Sequence, residues 1–123
     1  MIKGDSVDAS ALLLRRTFRT DRKYIDLKTG RPTSRAFAPR PKDNGRLSVN
    51  IKELTTYAAS IQDIQKFKLF EIFASLVYEC KLKCMFDPLD DNPAHALITG
   101  FDSEDESLPG SLARNSREVI DNF

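Results

Sequence analysis

The 123 residues contain no Trp, one His and two Cys, and each scarcity removes a class of function. Two thiols cannot build the cross-linked framework of a small secreted domain, so a reducing, cytoplasmic setting is expected. No apolar run approaches the ~18 residues that a membrane-spanning helix needs, which argues against a membrane role. The opening MIKGDSVDAS lacks the apolar core of a secretory signal. Only five Gly are present, and no Gly-rich phosphate loop or nucleophile elbow can be found. Repeats and low-complexity tracts are absent too.

What remains is 41% apolar and 30% charged, the balance of a globular chain. Residues 1–10 are polar and without period, and are expected to form a flexible N-terminus. Residues 11–123 suffice for a single α+β domain: a small mixed or antiparallel sheet of about five strands with two or three helices packed on it. Ala11–Phe18 reads as a buried strand. Arg19–Pro32 reads as a loop with a small hairpin around Tyr24–Leu27, and Ser34–Phe37 as a short strand ended by Pro39 and Pro41. Asp43–Asn44–Gly45 is a turn signal. In Leu47–Ile51 (LSVNI) apolar and polar residues alternate, which predicts a strand with Leu47, Val49 and Ile51 inward.

Leu54, Tyr57, Ala58, Ile61 and Ile64 then fall at helical spacing, predicting a helix over about 53–65. Phe67, Leu69, Phe70, Ile72 and Phe73 are too densely apolar for a one-sided helix. They favour a strand near 67–72, a helix near 74–82 and a strand at Cys84–Phe86; one long helix through 67–84 is the rival. His95–Gly100 reads as a strand, Asp102–Pro109 as a loop, and Ser111 as the cap of a final helix with Leu112, Val119, Ile120 and Phe123 on one face.

The net charge of +1 hides a division. Residues 1–52 carry 13 Lys or Arg against 5 Asp or Glu, and residues 53–123 carry 6 against 13. A charge split of this kind speaks of partners rather than of fold. Arg15, Arg16, Arg19, Arg22, Lys23, Arg31, Arg35, Arg40 and Lys42 would make a basic face, with Asp90, Asp91 and the acidic run Asp102–Glu106 as counterparts. The alternative is that the basic half packs on the acidic half and neutralises it.

Candidate chemistry is sparse. Cys80, Cys84 and His95 lack the fourth ligand and the spacing of structural zinc, so buried core thiols are expected, with no metal and no cofactor. His95 follows a loop carrying Asp87, Asp90 and Asp91; with Asp87 and Ser34 it would form the catalytic set of a small enzyme or nucleotide-binding domain, beside Arg15, Arg35 and Asp43. Tyr24 and Phe37 interleave with Arg22, Arg31 and Arg35, as a nucleic-acid stacking surface would require, but a pI near 7.7 speaks against a dedicated nucleic-acid domain.

The segments TSRAF (33–37), PRPKDNGRLSV (39–49) and DPLDDNPAHALITG (87–100) carry a resemblance. They are similar to a class of small uncharacterised bacterial proteins in which x-S-x-A-F, D-x-G-x-LSV and NP-x-HA-x-I-x-G segments recur in this order. Where those proteins have Gly, near the 67–72 strand and before the following strand, this chain has Lys68 and Lys81. The resemblance implies a bacterial, cytoplasmic product working beside a larger partner encoded nearby, as in defence or conflict systems, and carries no catalytic residue across. The leading expectation is therefore an interaction module or accessory subunit that binds by charge complementarity. Its binding residues would be Arg15, Arg16, Arg22, Arg31, Arg35, Arg40, Asp90 and Asp91. A small enzyme is second and a nucleic-acid binder third.

Overall fold

Leu47, Val49 and Ile51 are buried while Ser48 between them is exposed, as the alternation of LSVNI requires. They belong to β2 (Leu47–Ile51), one of six strands with β1 (Leu12–Phe18), β3 (Phe67–Phe73), β4 (Lys83–Phe86), β5 (His95–Thr99) and β6 (Arg117–Val119). Three helices accompany them: α1 (Tyr57–Ile61), α2 (Ala74–Glu79) and α3 (Ser107–Arg114). The computed structural model describes residues 1–102, 105–120 and 123. Its sheet has the order β4-β5-β2-β1-β3-β6 with every pairing antiparallel. The fold is a small α+β structure, and among the described residues no helix is long and apolar enough to cross a membrane.

The two faces of the sheet differ. Leu13, Val49, Phe70, Ile72, Ala96 and Ile98 point to one side, where Phe37, Val77 and Leu112 close over them to form the main core. Burying each such Leu, Ile or Phe is worth about 1.5–3 kcal/mol, so this layer dominates stability. On the other side a small cluster of Leu14, Ile61, Leu69 and Val119 sits beneath α1, over β1 and β3. β3 is thus buried on both faces, which explains its unbroken apolar run and excludes the long-helix rival.

Several expectations are corrected. Ser34–Phe37 is a 3-10 turn rather than a strand. Consecutive Ala36 and Phe37 are both buried, which a helical turn allows and strand alternation does not. The helix expected over 53–65 shrinks to α1. Thr56 starts it by accepting a hydrogen bond from the Ala59 N–H at 3.1 Å, and Gln62 ends it at φ +63°. Around Tyr24–Leu27 the chain makes a single bridge, Ile25 to Pro32.

Ser111 lies inside α3 instead of capping a later helix, and Arg117–Val119 adds the sixth strand. The reason is tertiary: the Arg31 guanidinium donates to the Ala113 and Ser116 carbonyls at 3.0 and 2.9 Å, ending α3 and turning the chain back to β3. Ser103 and Glu104 of the acidic run, and Asp121 and Asn122 of the expected helix, lie outside the described residues.

The N-terminal segment, read as flexible, is hydrogen-bonded along β4. Gly4 N–H donates to the Phe86 carbonyl, Phe86 N–H to Asp5 and Val7 N–H to Cys84, and Val7 joins the main core. Lys81 adopts φ +64°, a left-handed conformation that costs a side chain with a Cβ about 1–2 kcal/mol.

Candidate active site

Between β1 and β2 the ladder holds only two pairs, Leu13 with Ile51 and Leu14 with Asn50, although both strands continue. From Arg15 onward they diverge. In place of the missing backbone rung, the Arg15 side chain donates from Nη1 to the Ser48 carbonyl at 3.0 Å and from Nε to the Ala36 carbonyl at 2.8 Å. The split opens a groove of about 560 Å³ on the face that bears α1. Arg16, Ser48, Asn50, Asn92 and His95 are among its lining residues.

Across the sheet, β2, β5 and the residue that follows β4 build a chain of contacts. Antiparallel pairing carries past Phe86–Ala96 to an Asp87 N–H bond onto the His95 carbonyl at 3.0 Å. That register sets Asp87 beside the imidazole. Asn50 on β2 pairs with His95 on β5, which places Ser48 one diagonal step away on the same face. His95 Nδ1 lies 3.0 Å from Asp87 Oδ2 and 2.9 Å from the Asp87 carbonyl, and His95 Nε2 lies 3.0 Å from Ser48 Oγ.

Both groups at Nδ1 are acceptors, so in the neutral ring the proton resides on Nδ1 and Nε2 presents its lone pair to the Ser48 hydroxyl. His95 is 9% exposed whereas Ser48 is open to solvent. This is the relation of nucleophile, base and orienting carboxylate on which serine acyl transfer depends. Lys3 Nζ approaches Asp87 Oδ1 at 3.7 Å, a further charge on the orienting group.

A hydrogen-bonded floor holds the neighbouring polar groups. Asn92 Nδ2 donates to Asn50 Oδ1 at 2.8 Å, Asn50 Nδ2 to Ser60 Oγ at 3.1 Å, and Ser60 Oγ lies 3.0 Å from Thr55 Oγ1. Through it the 89–93 turn and α1 are tied to β2, one wall on each side of Ser48.

Of the residues expected to act together, His95 and Asp87 meet and Ser34 does not join them. Ser34 begins the 3-10 turn on the opposite side of the sheet and lines a separate cavity of about 530 Å³ with Arg35, Arg40, Asp105 and Glu106. These residues of both charge signs thus face one cavity there, without an ion pair between them among the described residues. Arg31 and Arg19 donate to backbone carbonyls, and Arg16 stacks on Phe67 with its guanidinium carbon 4.4 Å from the ring centroid. Arg22 and Lys23 are exposed on the loop after β1, and Asp90 and Asp91 are exposed on the turn before β5. Cys84 is a core thiol whose pKa burial pushes up to about 12. Among the described residues no group of three or more potential metal ligands forms.

Ser48 is the residue that sequence reading missed. Its only signal was an outward position in LSVNI, and its meeting with His95 requires knowing that β5 lies beside β2. No family model matches the chain, and neither a curated protein nor a solved structure matches it significantly, so the site is read from its own geometry.

Proposed function

We propose that the protein is a small serine-dependent acyl hydrolase whose nucleophile is Ser48. The observation that carries the reading is the imidazole of His95, oriented by Asp87 just past the end of β4 and hydrogen-bonded to an exposed serine hydroxyl on β2. Ser48 Oγ attacks the carbonyl carbon of an ester or amide while His95 Nε2 takes its proton; Asp87 stabilises the imidazolium. The tetrahedral adduct collapses as His95 returns that proton to the departing alcohol or amine, leaving Ser48 acylated. Water then attacks the acyl group by the same base, releasing the acid and restoring Ser48. The Asn50 and Asn92 amides line the groove, and each keeps one N–H beyond its floor bond as a donor available to the developing oxyanion.

The test is covalent labelling with a fluorophosphonate, followed by peptide mass spectrometry, and steady-state hydrolysis of p-nitrophenyl esters. Adduct on Ser48, absent from Ser48→Ala and His95→Asn, is the expected result. Hydrolysis unchanged in Ser48→Ala overturns the proposal.

Partner binding by charge complementarity is a second reading. It is favoured by Arg22, Lys23, Lys42 and Arg46, which are exposed and form no ion pair among the described residues. Their replacement by Gln should abolish salt-sensitive capture of an acidic partner without touching ester hydrolysis.

A further inference from the structure

We infer that the gap where β1 parts from β2 is a binding site for a compact oxyanion, a phosphate group in the first instance. A pocket of about 170 Å³ lies there, and the guanidinium-bearing residues Arg15, Arg16 and Arg40 all line it. None of the three is neutralised inside the pocket. Arg15 and Arg16 form no ion pair among the described residues, and Arg40 pairs only with Asp43, which follows it in its own turn, at 3.2 Å.

Arg15 bonds two carbonyls, leaving three of its five N–H donors for another acceptor. Burial, followed by repulsion from Arg40, lowers its pKa to about 10, and the opposing charges of Asp43 and Tyr24 offset only part of that. An anion between these guanidiniums would offset that cost through charge-assisted hydrogen bonds.

A second observation points to the same place. Thr17 lines the pocket, is 4% exposed, and its hydroxyl Oγ1 is buried with no hydrogen-bond partner. A buried donor left unpaired costs about 1–3 kcal/mol, and a phosphate oxygen is an acceptor of the kind it lacks. Backbone geometry adds to this. Arg19 N–H donates to the Lys66 carbonyl, so by alternation the odd residues of β1 face β3, and Arg16 and Phe18 turn their N–H groups toward the gap. Phe18, Tyr24 and Phe67 wall the pocket with rings 5.3–5.8 Å apart, a setting for the planar group of an aryl or nucleoside phosphate.

The site shares Arg15 and Arg16 with the lining of the groove beside Ser48 but does not rest on the Ser48 reading, and its test does not involve Ser48. Inorganic phosphate is titrated into the full chain by calorimetry at neutral pH, with ionic strength held constant by NaCl. Saturable binding to a single site is expected, weakened at least about tenfold in Arg40→Gln, the loss of one charge-assisted contact.

Thr17→Val is the sharper variant. Replacing an unpaired hydroxyl with an isosteric methyl should leave the unliganded protein as stable or more so, yet weaken phosphate binding several-fold; a merely structural Thr would not move the affinity. Tighter binding of phenyl phosphate than of phosphate assigns the oxyanion to a ring-bearing molecule, and equal binding assigns it to the free ion; either supports the site. Heat that does not saturate, or affinity unchanged in both Arg40→Gln and Thr17→Val, overturns it.

Discussion

His95 Nδ1 meets two acceptors of one residue, the Asp87 carboxylate at 3.0 Å and the Asp87 carbonyl at 2.9 Å. The carbonyl survives any substitution at 87. Asp87→Ala should therefore keep the reactive tautomer and lose only the charge that stabilises the imidazolium. Its esterase rate is expected to fall roughly 10²-fold, against the ~10⁴-fold seen when a triad loses its tautomer as well. Single-turnover kinetics on Asp87→Ala beside His95→Asn measure the difference; equal losses would mean that the carbonyl holds nothing.

Glu71 ties the open face together, taking Lys52 Nζ at 2.7 Å and Arg117 Nη2 at 2.6 Å. Burial alone would raise its pKa, but the hydrogen bonds from Lys52 and Arg117, aided by their charges, hold it below the usual carboxylate range. A pKa depressed on folding gives stability that is complete above the unfolded value of about 4.3 and is lost as pH falls through the lower native value. Glu71→Gln should remove that acid-side slope in urea midpoints measured between neutral pH and the acid limit. It should also destabilise by about 3 kcal/mol, because Lys52 is left in a half-buried site without its counter-charge.

Phe37 fills the core from the 3-10 turn and is fully buried. Phe37→Ala removes those contacts and leaves a cavity, with an expected cost of about 3–5 kcal/mol in chemical denaturation. Had this segment been an edge strand, the loss would be much smaller.

Lys81 holds φ +64°, in the left-handed region that favours Gly. Lys81→Gly relieves the Cβ clash and gains unfolded-chain entropy in return, for a net stabilisation of about 0.5–1 kcal/mol. A rise of a few degrees in Tm is the readout, and a fall would mean that the Lys81 side chain contributes more than its backbone costs.

Local patterns carried most of the architecture. Alternation marked β2, dense apolar residues marked β3, and the turn at Asp43–Gly45 appears with Asn44 and Gly45 at positive φ. Long-range contacts decided the rest. Arg31 ends α3 from more than eighty residues away, so no window around Ser111 could reveal a strand at Arg117. The site was half legible for the same reason. Asp87 and His95 are eight residues apart in sequence, whereas Ser48 reaches His95 only through strand order. Ser34 has a similar motif context but the wrong side of the sheet, and no count of spacings could distinguish the two serines.

The two margins of the sheet constrain how this molecule meets others. One margin is already occupied by its own first residues, bound along β4, and the other ends in β6, only three residues long. Neither rim offers a foreign peptide much backbone to zip onto. Under either proposal recognition proceeds through side chains, over the surface beside Ser48 or the charged loops, and should be correspondingly sensitive to single substitutions there.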